Sequence, residues 1–235
     1  MQILITIDME QDCPPYLSTF FGVVQGTPRV LARLKQLGIR GTFFTTGDVA
    51  RRFPQVVQSI VEAGHELGCH GDSHKRFSLM SHDEAEREVR DASATLRSFG
   101  EVVSFRAPNL DFPEPFLPIL SQHGYRVDSS IGRHKPGSFF AEPSRTHGLS
   151  RVPASVAPSW LRIPATLRSA LLSQLRGPAV FFFHPWEFVD ATDWPIPIDC
   201  RYRTGQPALD SLAATVDFFR QRGATFHTMR ELAPN

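Results

Sequence analysis

The chain has 235 residues, 41% of them hydrophobic and 21% charged, close to globular averages and unlike collagen, coiled coils or disordered tails. Lys plus Arg (25) against Asp plus Glu (24) leaves a formal net charge of +1, so no global field draws nucleic acid or an anionic bilayer. Three widely spaced cysteines, Cys13, Cys69 and Cys200, with no Cys-x-x-Cys, argue against a disulfide framework or a thiolate zinc site and fit a reducing compartment.

The first predicted element is a buried strand over residues 2–7, β-branched and apolar, ending at Asp8. No basic stretch precedes it and its apolar run is too short for an export signal or a membrane span, so the expected compartment is the cytoplasm. Thr27 as N-cap, Pro28 at the first helical position, Val30, Leu31, Leu34 and Leu37 at helical spacing, and Gly38 after the end predict a helix. A strand over residues 41–46, a helix over 54–63 closed by Gly64, and a strand over 65–69 follow. Ser81 and Glu84 form a capping box for an amphipathic helix reaching Phe99, and residues 104–106 read as the next strand. A helix over 115–123 ends at Gly124, before a strand over 125–128. Residues 132–150, without periodicity, predict a surface excursion. A basic amphipathic helix over 162–175, an apolar strand over 179–183, an irregular loop over 190–206, a helix over 209–222 and a strand over 225–228 complete the chain. Alternating strand and helix imply parallel strands under helices, and the length suits one α/β barrel domain over residues 1–235 better than an open sheet.

In such a barrel reactive groups gather at the carboxyl ends of the strands. Asp8, Glu10 and Asp12 follow the first strand; His70, Asp72 and His74 follow the third; later strands are followed by Arg106, by Asp128, and by His184 with Trp186 and Glu187. His70 and His74 are four apart, a common metal-ligand spacing, although Gly71 places them on a loop and not on a helix face. Two neutral imidazoles with one carboxylate of the first strand make a three-ligand site with open positions for water and a substrate oxygen. The competing reading is an accidental pair among nine histidines. Asp8 and Glu10 share a face if the strand continues, one for a metal and one as a base, whereas Asp12 reads as a helix cap. Taken singly, His184 reads as a core histidine and Arg106 with Asp128 as a structural ion pair; their joint placement after strands favours a site.

The segments ITIDMEQD (5–12), GTFFTTG (41–47), GHELGCHGDSH (64–74), FRAPN (105–109), YRVDSS (125–130) and FFFHPWEF (181–188) resemble the polysaccharide deacetylases of the carbohydrate esterase class. That resemblance implies a distorted, incomplete (β/α) barrel with fewer than eight strands. It also implies Asp8 as the general base and His70 and His74 as metal ligands. The commonest family form has Asp directly after the base, where this chain has Met9, a poor ligand for a hard cation; branches with Asp-x-Asp or Asp-x-Glu use the residue two on, here Glu10, as third ligand. By the same resemblance Arg106 holds Asp8, the backbone N–H near Asn109 helps bind the oxyanion, and Trp186 adjoins the substrate. His184, oriented by Asp128, protonates the leaving amine. Asn109 replaces the usual Tyr. The HPWEF ending and Asp-x-Glu start look most like the branch found with bacterial exopolysaccharide and exosortase gene clusters.

The implied activity is metal-dependent hydrolysis of an N-acetyl or other small acyl group on a sugar or saccharide precursor, with a divalent metal, zinc first, as cofactor. In the cytoplasm that sugar is met as a nucleotide-linked or lipid-linked precursor. Trp160, Arg162, Arg168 and Arg176, interleaved with leucines, offer a face for the inner membrane, weighed below an ordinary barrel helix with solvated arginines. The alternatives are an amidase on a small non-sugar amide, a catalytically silent saccharide-binding module, and, last, a non-haem iron oxygenase built on His70-Gly71-Asp72.

Overall fold

The computed structural model describes residues 1–234. Its sheet contains β1 (Gln2–Met9), β2 (Thr42–Thr45), β3 (Glu66–Cys69), β4 (Ser104–Phe105), β5 (Val127–Asp128), β6 (Ser144–Thr146), β7 (Leu149–Arg151), β8 (Ala179–Phe183) and β9 (Thr225–His227). The strand order is β6-β7-β5-β4-β3-β2-β1-β8, with β9 beside the first residues of β1. Every pairing is parallel except the β6–β7 hairpin. The sheet curls into part of a barrel, as the sequence leads one to expect.

Strand alternation decides what faces the barrel interior. Ile3, Ile5, Ile7 and Met9 of β1 pack outward into the main apolar core under the helices, whereas Leu4 joins Phe44, Val127, Val180 and Met229 inside. Thr6 and Asp8 therefore continue the interior row above Leu4. The floor is closed by a 3₁₀ turn, Met229–Leu232. The buried Glu66 carboxylate accepts from Thr42 Oγ1 (2.7 Å), Ser104 Oγ (2.6 Å) and the Arg230 amide (2.9 Å), so this floor is polar and satisfied.

Helices α1 (Thr27–Leu37), α2 (Gly47–Arg52), α3 (Pro54–Glu62), α4 (His82–Leu96), α5 (Leu117–Gln122), α6 (Ala165–Leu172), α7 (Ile198–Arg201) and α8 (Gln206–Arg220) cover the outer face or run between strands. Several depart from the sequence reading. Thr27 is not the cap of α1: a π-turn, Gly22–Gly26, leads into the helix, and the Thr27 hydroxyl turns inward to Met9 Sδ (3.6 Å). That turn starts on Asp12, which accepts from the amides of Phe21 (2.7 Å) and Gly22 (2.8 Å) and so caps it as expected, although it is buried and not at a solvated strand end. The strand expected to reach residue 46 stops at Thr45, because the Thr46 side chain accepts from the Val49 amide and starts α2. The excursion over residues 132–150 contains the β6–β7 hairpin, and the loop over 190–206 contains α7.

The helix expected over residues 162–175 is broken in two, a 3₁₀ turn Pro158–Arg162 and the short α6, because Pro164 at the junction favours an extended start over a continued helix. Trp160 packs on Phe181, Arg162 points to Glu187, and Arg168 is buried. Three of the four residues expected to face a membrane thus turn inward; Leu167 and Leu171 are the large apolar side chains exposed on α6. Among the described residues no helix is long and apolar enough to cross a membrane.

Candidate active site and metal centre

At the carboxyl end of β1, Asp8 points into the barrel against Arg106, whose side chain is entirely buried. Arg106 Nη1 donates to Asp8 Oδ1 (2.7 Å) and Thr6 Oγ1 (2.7 Å), Nη2 to Ser129 Oγ (3.0 Å) and Nε to the Ser129 carbonyl (3.3 Å). Its guanidinium also lies over Phe44, 4.3 Å from the ring centroid, and 5.7 Å from that of Phe182. One carboxylate oxygen of Asp8 is thereby fixed.

Glu10, two residues on, shares the Asp8 face, while Met9 between them is buried in the outer core. Glu10 Oε2 lies 3.0 Å from His70 Nε2 and 2.5 Å from His74 Nε2, and the three ligand atoms fall within 4.8 Å of one another. His70 Nδ1 is 2.8 Å from the Arg106 carbonyl, to which only an N–H can donate, so its neutral tautomer presents a lone pair at Nε2. Nε2 faces the Glu10 carboxylate oxygen at 3.0 Å, a contact that either a proton or a metal ion satisfies. Two imidazole nitrogens and one carboxylate oxygen are the donor set of a hydrolytic zinc-type site, and the residues present fit such an ion.

The loop carrying His74 is fixed from several sides. Gly71 (φ 74°) and His74 itself (φ 58°) adopt left-handed backbone that turns the chain back toward Glu10. Glu88 of α4 accepts from the amides of Asp72 (2.9 Å) and Ser73 (2.5 Å). Asp72 is drawn away by Arg51 (2.6 and 2.9 Å), which removes the ligand that an iron facial triad on this loop would need.

Across the cavity, His184 follows β8 with Nε2 3.8 Å from Glu10 Oε1 and Nδ1 3.7 Å from Glu187 Oε2. Its ring stacks on Trp186, centroids 5.9 Å apart and planes 15° apart. Glu187 is buried; its Oε2 accepts from the His184 amide (3.0 Å) and its Oε1 from Arg162 Nη2 (3.0 Å). Burial opposes charge on His184, but Glu10 and then Glu187 outweigh it and raise its pKa to about 9. Burial likewise opposes charge on His74 and on Glu10. The attraction between these two outweighs it: Glu10 raises His74 against the repulsion of His184, while His74 and His184 together hold Glu10 well below the usual carboxylate range.

Asp128 is not beside His184. In the β4–β5 register it partners Phe105, while its neighbour Val127 partners Ser104, so Asp128 lies on the sheet face opposite Arg106. There it accepts from Arg151 Nε (3.0 Å), the Ser130 amide (3.1 Å) and the Ser130 hydroxyl (2.5 Å). The expected role of Asp128 in orienting His184 is corrected accordingly, and Arg106 pairs with Asp8 and not with Asp128. Asn109 lines the same cavity in left-handed backbone (φ 58°), its carbonyl accepting from Lys135 Nζ. The neighbouring Leu110 and Asp111 amides are taken by Ala107 and Pro108, which leaves the Asn109 amide as the nearby candidate donor.

These groups surround a cavity of about 510 Å³ lined by Asp8, Glu10, His70, His74, His184 and Trp186, among others. Sequence reasoning placed Glu187 at the rim without a role and Arg162 on a candidate membrane face, not at the site. The signal for Glu187 was a charged residue inside the apolar run FFFHPWEF, while Arg162 looked like a solvated helix residue until Pro164 broke that helix.

A curled parallel half-barrel with a buried Asp–Arg pair and a His/His/Glu cluster at its carboxyl rim defines an α/β protein with a candidate divalent-metal centre. Residues 3–127, more than half of the chain, match the polysaccharide deacetylase family, to which the chain belongs. It is 30% identical to the peptidoglycan deacetylase of Helicobacter pylori over 125 residues, covering 52% of this chain and 42% of that protein. To the peptidoglycan-N-acetylmuramic acid deacetylase PdaA of Bacillus subtilis it is 33% identical over 116 residues, covering 48% and 44%. The chain spans less than half the length of these curated relatives. Its fold is similar to that of a candidate polysaccharide deacetylase from Mycobacterium smegmatis (TM-score 0.75, 19% identity, 98% of this chain and 88% of that one). It is also similar to that of a family 4 carbohydrate esterase pseudoenzyme from Bacillus anthracis (TM-score 0.67, 16% identity, 98% and 64%).

Proposed function

We propose that this protein is a metal-dependent deacetylase that hydrolyses an N-acetyl or other small N-acyl group on a sugar or saccharide precursor, with residues 1–235 acting as one catalytic domain. The observation that supports this reading is the convergence, in one cavity, of Asp8 held by Arg106, the Glu10–His70–His74 cluster and His184. A divalent ion held by those three ligands, zinc first, supplies Lewis-acid polarisation of the acyl carbonyl and makes water acidic enough to react near neutral pH. Asp8, with one oxygen occupied by Arg106, uses the other to take the proton of the attacking water. His184 presents Nε2 toward the reacting centre and delivers a proton to the departing nitrogen, and the Asn109 amide donates to the oxyanion. Trp186 keeps the His184 ring in plane and walls the substrate.

The substrate class follows from relatives whose names specify it, among them the chitooligosaccharide deacetylase of Sinorhizobium fredii, 34% identical over 71 residues. We place the chain in the exopolysaccharide- and exosortase-associated branch on its HPWEF and Asp-x-Glu segments. On its three free thiols we place it in the cytoplasm, acting on a nucleotide- or lipid-linked sugar. A silent saccharide-binding module is the second reading, favoured by Met9 and Asn109 at positions where the commonest family form has Asp and Tyr. Acetate and formate release from N-acylated sugar precursors, measured for the zinc-loaded protein and for Asp8→Asn, decides between them. Release by the wild type alone is expected; equal release by both rejects the mechanism, and tight zinc binding with no release from any acyl sugar transfers the weight to the binding module or to an amidase on small amides.

A further inference from the structure

We propose that Glu187 is the positioning residue of His184: with Arg162 holding one of its oxygens, it receives the imidazole Nδ1–H and keeps Nε2 aimed at the reacting centre. The inference rests on the reading of His184 as the acid, and it moves the orienting carboxylate from Asp128 to a residue three positions after the histidine.

A histidine that works through Nε2 needs its other nitrogen hydrogen-bonded, because that bond sets the tautomer and the ring orientation. His184 Nδ1 is buried and has no hydrogen-bond partner, yet Glu187 Oε2 stands 3.7 Å away on that side. Glu10 lies on the opposite side of the ring, 3.8 Å from Nε2, so the imidazole spans the gap between the two carboxylates. Glu187 Oε2 already accepts from the His184 amide, which fixes the carboxylate to the backbone of the residue it serves and leaves a second lone pair for Nδ1–H. Bonds of this kind are commonly long before substrate is bound and tighten in the reacting complex.

The carboxylate is itself anchored. Arg162 Nη2 bridges Glu187 Oε1 (3.0 Å) and the Cys200 carbonyl (2.6 Å), tying the 185–188 turn to α7. With the partly buried Arg162 on one oxygen, the buried Glu187 carboxylate is a fixed hydrogen-bond acceptor. The Trp186 ring, nearly parallel to the imidazole, flanks one of its faces, and the remaining gap from Nδ1 to Glu187 Oε2 is 3.7 Å. Asp128 has no such access, being on the opposite sheet face with both oxygens occupied.

The test uses zinc-loaded protein, ¹⁵N-labelled in histidine, at one fixed pH, with His184→Gln assigning the His184 ring signals. Glu187→Gln is expected to move the His184 Nδ1 resonance, whereas Asp128→Asn leaves it in place. In turnover, Glu187→Gln is expected to lower kcat on an N-acetyl sugar about 10- to 10³-fold with KM within about twofold, and to spare an activated aryl acetate, whose leaving group needs no proton. Asp128→Asn is expected to leave the amide-to-ester ratio unchanged. An unmoved ring signal in folded Glu187→Gln overturns the proposal, as does a shifted ring signal or altered ratio in Asp128→Asn, which decides the matter even where Glu187→Gln does not fold. A ring signal that responds as expected in a protein that releases acetate from no acyl sugar sinks the deacetylase reading and leaves the positioning role standing.

Discussion

Arg106 carries a full charge at zero solvent exposure, and its neighbours explain how. Asp8, Thr6 and Ser129 occupy its donors and two phenylalanines cover its faces, so removing it strands a buried carboxylate. Arg106→Met is therefore expected to cost about 3–5 kcal/mol, the range for breaking a buried pair from one side, read as a lower midpoint in urea unfolding. Asp8→Asn makes a different statement. It keeps the shape and an acceptor for Arg106 but cannot take a proton, so zinc affinity by competitive chelation should hold while kcat on an N-acyl sugar falls about 10²–10⁴-fold. Loss of zinc in Asp8→Asn would mean that Asp8 is a ligand and not a base.

Gly22 and Gly26 on the π-turn before α1 lie against the turn that follows His184: a Cβ on Gly22 would meet the Trp186 nitrogen at 2.3 Å, and one on Gly26 the Pro185 carbonyl at 2.0 Å. Gly26→Ala is thus expected to push these two backbones apart, lowering the melting temperature and also displacing His184, seen as a fall in kcat larger than the fall in stability explains. Beneath β2 and β3, His65 Nδ1 accepts the buried Gly41 amide, and burial, with Arg40 nearby, lowers its pKa from 6.5 to about 4. The unfolded chain binds a proton there that the folded one refuses, so stability falls as pH drops from about 6.5 toward 4, by roughly 3 kcal/mol in the limit. Urea midpoints between pH 7 and 4 should decline less steeply for His65→Gln than for the wild type; parallel slopes would refute this. The elements themselves were largely legible, because apolar β-branched runs and Gly or capping signals are local. What the sequence hid was decided by distant contacts: Thr27 drawn inward to Met9, Asp128 placed on the wrong face by register, and Arg162 pulled to Glu187 once Pro164 ended the helix. That Glu10 shares a face with Asp8 was, by contrast, readable from strand alternation, while its assignment as third ligand came from the family resemblance.

For the molecule as a whole, the candidate metal-ligand cluster sits on the rim while the apolar core lies below and outside it. Chelation is therefore expected to abolish turnover and leave the far-UV circular dichroism spectrum unchanged. Zinc at about a hundredfold excess over its Kd should stabilise by roughly 2.7 kcal/mol, raising the melting temperature by about 5–10 °C; collapse of the spectrum on chelation would mark a structural ion instead. The position of β1 between β2 and β8 has one more consequence, for synthesis in the cell. Glu10, His70 and His74 emerge early, but the edge of β1 meets its partner only when residues 179–183 leave the ribosome. At about 5–20 residues per second, that apolar edge stands open for roughly ten to thirty seconds. A nascent chain is then a half-built sheet with one edge of its central strand unpaired, so demand for a chaperone should fall on this interval, and slow codons placed between residues 10 and 179 should lower soluble yield without changing a single contact of the finished protein.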